Sequence, residues 1–126
     1  MSEFRNPLKT ARGLGSAKDG VTHFVNQRLT AIALVFTGLY FLLLVVCNAS
    51  AGYEAVHAMV ARPFNAVVLV AFLVAMCWHA ALGIQVVIED YVHSAWGIVL
   101  QVINRFVFAI AAIAGVFAVV RIALGN

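Results

Sequence analysis

Three long apolar runs alternate with short polar segments along the chain of 126 residues. The first run, residues 29–47, contains no charged side chain, and the second, from about 64 to 88, is interrupted by His79 and Gln85. About 20 apolar residues in a helix cross the roughly 30 Å of bilayer hydrocarbon. A helix also pairs its backbone groups internally, as hydrocarbon requires. The pattern therefore predicts an all-α membrane protein.

The third apolar run has two possible starting points. Its cleanest part is 106–124, and the preceding WGIVLQVINR either extends it or lies along the interface. We take the spans as about 29–47, 64–88 and 100–124, so that residues 29–126 form a three-helix anchor domain after an amino-terminal segment, 1–28. The loop from 48 to 63 has room for one short surface helix. Because the connections are short, neighbouring spans should be antiparallel.

Composition supports a membrane location. The chain is 64% hydrophobic and 10% charged, with a mean hydropathy of +1.02, whereas a soluble domain has about 45–50% apolar and about 25% charged residues. Cys47 and Cys77 lie far apart in apolar runs and form no metal-ligand pattern. We interpret both as small buried residues.

The basic residues are unevenly distributed. Five of the eight precede the first apolar run: Arg5, Lys9, Arg12, Lys18 and Arg28. They form neither a signal peptide's compact basic region nor a nucleic-acid patch. The glycine-containing RGLGSAKDG lacks the ending of a phosphate loop. An excess of Lys and Arg marks the cytoplasmic side of a span, so we expect an inner amino terminus and an outer carboxyl terminus.

His79 is the most informative polar residue, because it lies well inside the second span, where an imidazole needs a partner. One interpretation is a hydrogen bond to a neighbouring helix. The other is axial ligation of a haem between helices. Gly83 follows by four residues on the same face, leaving room for a flat macrocycle or a closely packed helix. Asp90, eleven residues on, shares that face after about three turns.

The end of the second span carries side chains suited to a lipid-soluble ligand with a polar head. Tyr91 is either an aromatic interface anchor or a hydrogen-bond donor to a carbonyl. Glu89 and Asp90 are a solvated helix end, or Asp90 tunes the local charge or carries protons. His23 and Arg28 approach the same side from the first span. Arg28 either extends to headgroups or pairs with haem propionates.

The remaining polar residues are simpler to interpret. We expect His57 and His93 to be solvated, and Arg105 and Arg121 either to flank the third span or to snorkel from it towards the membrane surface.

The chain contains two motifs that we consider together. One is H-x-x-x-G followed by D-Y, at positions 79, 83, 90 and 91, and the other is SAKDGVTHFVNQRLTA at 16–31. Together these motifs resemble the hydrophobic membrane anchor subunit of bacterial succinate dehydrogenase and of mitochondrial complex II. The resemblance covers nearly the whole chain. It implies half of a heterodimeric helical bundle with a cytochrome b556 subunit, and one haem b shared between the two, each providing an axial histidine.

The resemblance also implies roles for individual residues. His79 matches the anchor's haem ligand, and Tyr91 matches the tyrosine that hydrogen-bonds ubiquinone, with Asp90 as its acidic neighbour. Arg28 matches an arginine near the haem propionates and the quinone pocket. His23 matches a nearby histidine that contacts a propionate in one interpretation.

The family resemblance further implies flavoprotein and iron–sulfur subunits as partners, docked on the cytoplasmic side of the bacterial inner membrane. The carboxyl terminus would then be periplasmic, and the chain alone would complete no reaction. Two other functions stay open. One is a cofactor-free structural scaffold, in which His79 only bonds a neighbouring helix. The other is a small transporter subunit, although the first two spans carry no charge away from their ends.

Overall fold

The computed structural model describes residues 19–125, which form four α-helices and no β-strand. In chain order they are α1 (Asp19–Cys47), α2 (Tyr53–Ala61), α3 (Pro63–Tyr91) and α4 (Trp96–Ala123). Helices α1, α3 and α4 are long and apolar enough to cross a membrane, so the all-α fold with three spans is confirmed. Residues 1–18 of the predicted amino-terminal segment 1–28 lie outside the described residues. The basic residues Arg5, Lys9, Arg12 and Lys18 belong to this part.

The helices extend beyond the apolar runs. Helix α1 begins at Asp19, upstream of the predicted span, and α3 continues to Tyr91. Helix α4 begins at Trp96, so WGIVLQVINR extends the third helix and Arg105 lies within it. The 28 residues of α4 measure about 42 Å at 1.5 Å per residue, which matches a bilayer including its headgroup regions.

Local chemistry explains where the helices begin and end. The Asn48 side chain donates to the carbonyl of Leu44 at 2.8 Å, which pairs a group at the end of α1. Pro63 occupies the first turn of α3, where its missing N–H costs nothing. Gly97 follows the short turn between α3 and α4, and a Cβ there would lie 2.9 Å from the Val92 carbonyl oxygen. Only glycine allows this close approach without a shift.

Helix α3 lies between α1 and α4 and packs against both, whereas no Cα atom of α1 lies within 8 Å of a Cα atom of α4 among residues 19–125. The short helix α2, which the loop was expected to allow, packs against α3 and α4. The three spans therefore form an open layer, with α3 in the middle, rather than a closed bundle.

Polar side chains bridge this layer at two places. Tyr40 of α1 donates to Asn65 Oδ1 at 2.7 Å, and Asn65 Nδ2 donates to the Met59 carbonyl at 2.7 Å. Asn104 of α4 donates to the Ala81 carbonyl of α3 at 2.8 Å. Both asparagines are buried, and hydrogen bonds between buried polar groups hold membrane helices in register.

The apolar surface is mostly uncovered by the protein itself. In the most apolar window of each span, only 6%, 11% and 0% of the residues of α1, α3 and α4 are buried. Of the two free cysteines, Cys77 is buried as predicted, but Cys47, the last residue of α1, is exposed, so the prediction for Cys47 was wrong. The exposed surfaces suit lipid or other membrane helices.

Candidate functional site

His79 lies near the middle of α3 and contacts α1 through both ring nitrogens. Its Nδ1 lies 3.0 Å from Thr30 Oγ1, and its Nε2 lies 3.4 Å from Gln27 Nε2. The imidazole is half-buried. Since Tyr91 ends α3 twelve residues later, the ring lies about 18 Å along the helix from that end. The structure therefore places an imidazole deep in the layer, between two spans.

Thr30 and Gln27 reach His79 from adjacent turns of α1. Residues three apart lie on the same side of a helix, so this spacing directs both side chains towards α3. Thr30 is 5% exposed, and its hydroxyl also lies 2.8 Å from the Asn26 carbonyl and 3.1 Å from that of Gln27. A threonine inside a helix commonly donates to a carbonyl one turn back.

Gly83 lies one turn beyond His79 and also faces α1. A Cβ at this position would lie 3.9 Å from Gln27 Nε2, an ordinary van der Waals distance. The Gln27 amide thus lies beside both His79 and Gly83. The four-residue spacing places both α3 residues on the side towards α1, as the sequence predicts.

A cleft of about 610 Å³ lies between the first part of α1 and the last part of α3. Its lining mixes small, aromatic and charged residues: Gly20, His23, Phe24, Gln27, Arg28, Gly83, Gln85, Val86 and Glu89. Two buried atoms of the lining, His23 Nε2 and Gln27 Oε1, have no hydrogen-bond partner within the described part of the chain. Buried polar atoms normally have partners, so this cleft suits a ligand with polar groups.

The predicted site residues fall into two groups. His23, Arg28 and Gly83 line the cleft, and His79 contacts it through Gln27. The Arg28 guanidinium lies 4.8 Å from the centre of the Phe24 ring, which holds its charge at the cleft.

Asp90 and Tyr91 lie apart from this group. Both are exposed at the end of α3 and neither lines the cleft. Tyr91 is 80% exposed, so its hydroxyl is accessible to a ligand or to another protein chain.

Sequence reasoning missed three residues of the site. The sequence assigns Gln27 and Thr30 no role beyond the motif at 16–31, although two polar residues three apart share one side of a helix. Glu89, rather than Asp90, lines the cleft. Its Oε1 accepts from Gln85 Nε2 at 2.8 Å and from Gln101 Nε2 of α4 at 3.3 Å. No pattern within α3 alone could have indicated the contact with α4.

The fold and the cleft define an integral-membrane helical subunit with an open polar site between two of its spans. A family described as succinate dehydrogenase/fumarate reductase transmembrane subunit matches residues 2–120. The chain belongs to this family, as a membrane anchor subunit of succinate dehydrogenase/fumarate reductase.

Individual relatives agree with the family match. The chain is 38% identical to the succinate dehydrogenase hydrophobic membrane anchor subunit of Rickettsia bellii over 90 residues, which cover 71% of this chain and 72% of the relative. It is 32% identical to the subunit of the same description in Paracoccus denitrificans over 122 residues, covering 94% of this chain and 92% of the relative. No solved structure matches the chain.

Proposed function

We propose that this subunit supplies one axial ligand of a haem b and part of a ubiquinone site in a succinate:quinone oxidoreductase of the bacterial inner membrane. Its partners are a cytochrome b556 subunit within the membrane and the iron–sulfur and flavoprotein subunits at the cytoplasmic face. The observation that carries the proposal is the position of His79, an imidazole in the middle of a span beside a polar cleft.

The residues around His79 fit a haem. Its Nε2 has only a long contact, 3.4 Å, with the amide of Gln27. Gln27 itself lines the cleft, so its side chain has free volume into which it can move. Gly83, one turn further along α3, adds no side chain beside the Gln27 amide. Neutral imidazole is a common axial ligand, and a bundle interior is a common cofactor site, so His79 is the ligand that we assign.

Basic residues at the cleft fit the acidic edge of a haem b. Arg28 presents a guanidinium that can hold a carboxylate through two parallel hydrogen bonds. His23 lines the same cleft, and its buried Nε2 lacks a partner within residues 19–125. We assign both residues to the propionates, Arg28 with a second contact to the quinone pocket. When bound, the haem would supply a one-electron carrier, held by His79 at its iron and by Arg28 and His23 at its propionates.

Tyr91 and Asp90 are the residues that we assign to ubiquinone. Their exposure at the end of α3 leaves them available to a ligand whose other contacts come from partner subunits. A phenol at this depth can donate to a quinone carbonyl, and Asp90 modulates the charge around it. Tyr91 binds and orients the quinone head in this proposal, while the apolar tail lies in lipid.

The open layer supports pairing with a second membrane subunit. Because few residues in the most apolar window of each span are buried within the described chain, much of the apolar surface of the three helices stays available for other helices. Five basic residues precede the first apolar run, and three spans put the termini on opposite sides. We therefore assign the amino terminus to the cytoplasm and the carboxyl terminus to the periplasm.

A cofactor-free scaffold is the second candidate, and one observation favours it. His79 already has a partner at each ring nitrogen, Thr30 and Gln27, so a structural role would satisfy the imidazole. In that case α1 and α3 are joined by the histidine, and the chain acts only as a tether.

A difference spectrum of the co-expressed, purified complex separates the two candidates. We expect a b-type band in the reduced-minus-oxidised spectrum, which His79→Ala abolishes while the subunits still co-purify. His57→Ala is the matched control, since His57 lies on α2, and it should keep the band. A wild-type complex without the band, or a band retained in His79→Ala, would leave the scaffold as the function.

A further inference from the structure

The contact between Thr30 and His79 bears on which nitrogen of the imidazole carries a proton. A threonine hydroxyl has one hydrogen to donate and lone pairs to accept with. The Thr30 hydroxyl lies 2.8 Å from the Asn26 carbonyl, which can only accept. When that hydrogen bond takes the hydroxyl proton, Thr30 Oγ1 meets His79 Nδ1, 3.0 Å away, as an acceptor.

The proton of the neutral ring then lies on Nδ1, and Nε2 keeps a free lone pair. The second contact agrees with this tautomer, because the Gln27 amide nitrogen beside Nε2 is a donor. The opposite tautomer would need the Thr30 hydroxyl to leave the Asn26 carbonyl and the Gln27 amide to turn over. Two contacts of α1 therefore favour the same form of His79.

A free Nε2 lone pair is what an iron atom requires of an imidazole. A metal-bound histidine usually donates its other N–H to a fixed acceptor, which sets the tautomer, orients the ring and raises the basicity of the ligand. Thr30 meets this description because it is 5% exposed and held in helix α1. Gln27, whose contact is longer and whose side chain lines the cleft, does not.

We infer that Thr30 is a positioning residue for His79: it holds the ring in the Nδ1-protonated tautomer and presents Nε2 for haem ligation, while Gln27 is the group that moves aside. This inference rests on the proposed role of His79 as a haem ligand. Thr30 touches neither haem nor quinone and acts only through the histidine.

The test uses the purified complex with Thr30→Val, which keeps the branched shape and removes the acceptor. Loss of a hydrogen-bond partner of a metal-bound histidine lowers the affinity for the metal about tenfold or more. We therefore expect Thr30→Val to transfer its haem to excess apomyoglobin about tenfold faster than the wild type. We also expect altered EPR g values of the ferric haem. The midpoint potential should rise, because a ligand of lower basicity stabilises the ferric state less.

Two variants isolate the effect of the acceptor. Thr30→Ser keeps the hydroxyl and should restore the wild-type g values, potential and rate of haem loss. Thr37→Val removes another α1 hydroxyl, which lies 2.7 Å from the Ala33 carbonyl, and should change none of the three. If Thr30→Val assembles poorly, Thr30→Ala carries the same comparison, since g values and potential are measured on the haem that is retained.

The outcomes are distinct. Wild-type g values, potential and haem loss in Thr30→Val would overturn the positioning role, as would an equal change in Thr37→Val or no recovery in Thr30→Ser. The proposed function fails by a different result, a haem that survives His79→Ala or a complex without haem. A haem lost in His79→Ala but unaltered in Thr30→Val rejects the inference alone.

Discussion

Asn104 of α4 donates its side-chain amide to the Ala81 carbonyl of α3, with 2.8 Å between Nδ2 and the oxygen. The asparagine is 7% exposed, and its Oδ1 has no partner among residues 19–125. A buried polar group costs free energy unless it is hydrogen-bonded, so a hydrogen bond to a neighbouring helix stabilises it more than it would an exposed group. This contact therefore links the two helices that the short turn before Gly97 brings together.

Replacing Asn104 by alanine should loosen the α3–α4 pair. We expect the free energy of unfolding in mixed micelles to fall by about 1 kcal/mol, as for other side-chain hydrogen bonds between membrane helices. Gln101→Ala is the control, because its hydrogen bond to Glu89 is exposed and longer, at 3.3 Å. Equal stability of Asn104→Ala and wild type would mean that the contact contributes nothing.

Gly83 should tolerate one added methyl group but not a larger side chain. A Cβ has ordinary contact distance to Gln27 Nε2, 3.9 Å, so Gly83→Ala should keep its haem content within about twofold. Gly83→Leu fills the space beside His79 and should lose most of the haem, measured per purified complex. Val87→Leu, at an exposed position of the same helix, is the control for added bulk. Full haem content in Gly83→Leu would argue against a cofactor on this face.

Tyr91→Phe removes the hydroxyl that we assign to the quinone carbonyl. Loss of one hydrogen bond, about 1 kcal/mol, should lower kcat/KM for quinone about fivefold. Haem content and subunit assembly should not change, because the side chain is 80% exposed and contacts no part of the cleft. Tyr53→Phe is a suitable control, at 76% exposure on α2. Wild-type quinone kinetics would remove Tyr91 from the site.

The direction of the chain across the membrane is also measurable. With three spans and an inner amino terminus, a reporter fused to Asn126 should lie in the periplasm. Alkaline phosphatase attached there should be active, and a green fluorescent protein should stay dark. The opposite pair of results would reverse the proposed topology and move Tyr91 to the outer face.

The sequence predicts the spans well because hydrocarbon thickness leaves a clear apolar run. It predicts the ends poorly. Asp19 and Trp96 begin their helices outside or at the edge of those runs, and helix formation there depends on local propensity and packing rather than on hydropathy. Arg105 illustrates this, since it lies inside α4, so that of its two predicted positions the one flanking the helix is excluded.

The sequence predicts the part of the site that depends on one helix, but not the contacts between helices. Helical spacing indicates that His79 and Gly83 share a face, because this depends on α3 alone. It cannot indicate which residues of α1 meet that face, so Thr30 and Gln27 required the packing of two helices. Glu89 required a third, since Gln101 of α4 holds its carboxylate.

The central position of α3 has a consequence for biogenesis. Residues 92–95 are all that separates α3 from α4, so these helices can enter the bilayer as one hairpin, already joined through Asn104. Helix α1 is synthesised first, but among residues 19–125 the helix it packs against is α3, so we expect its pairing to follow the insertion of α3. Engineered cysteines should cross-link α3 to α4 earlier in a pulse-chase than α1 to α3. The imidazole of His79 would then meet Thr30 and Gln27 only when α1 docks, so the polar site between these two spans forms last.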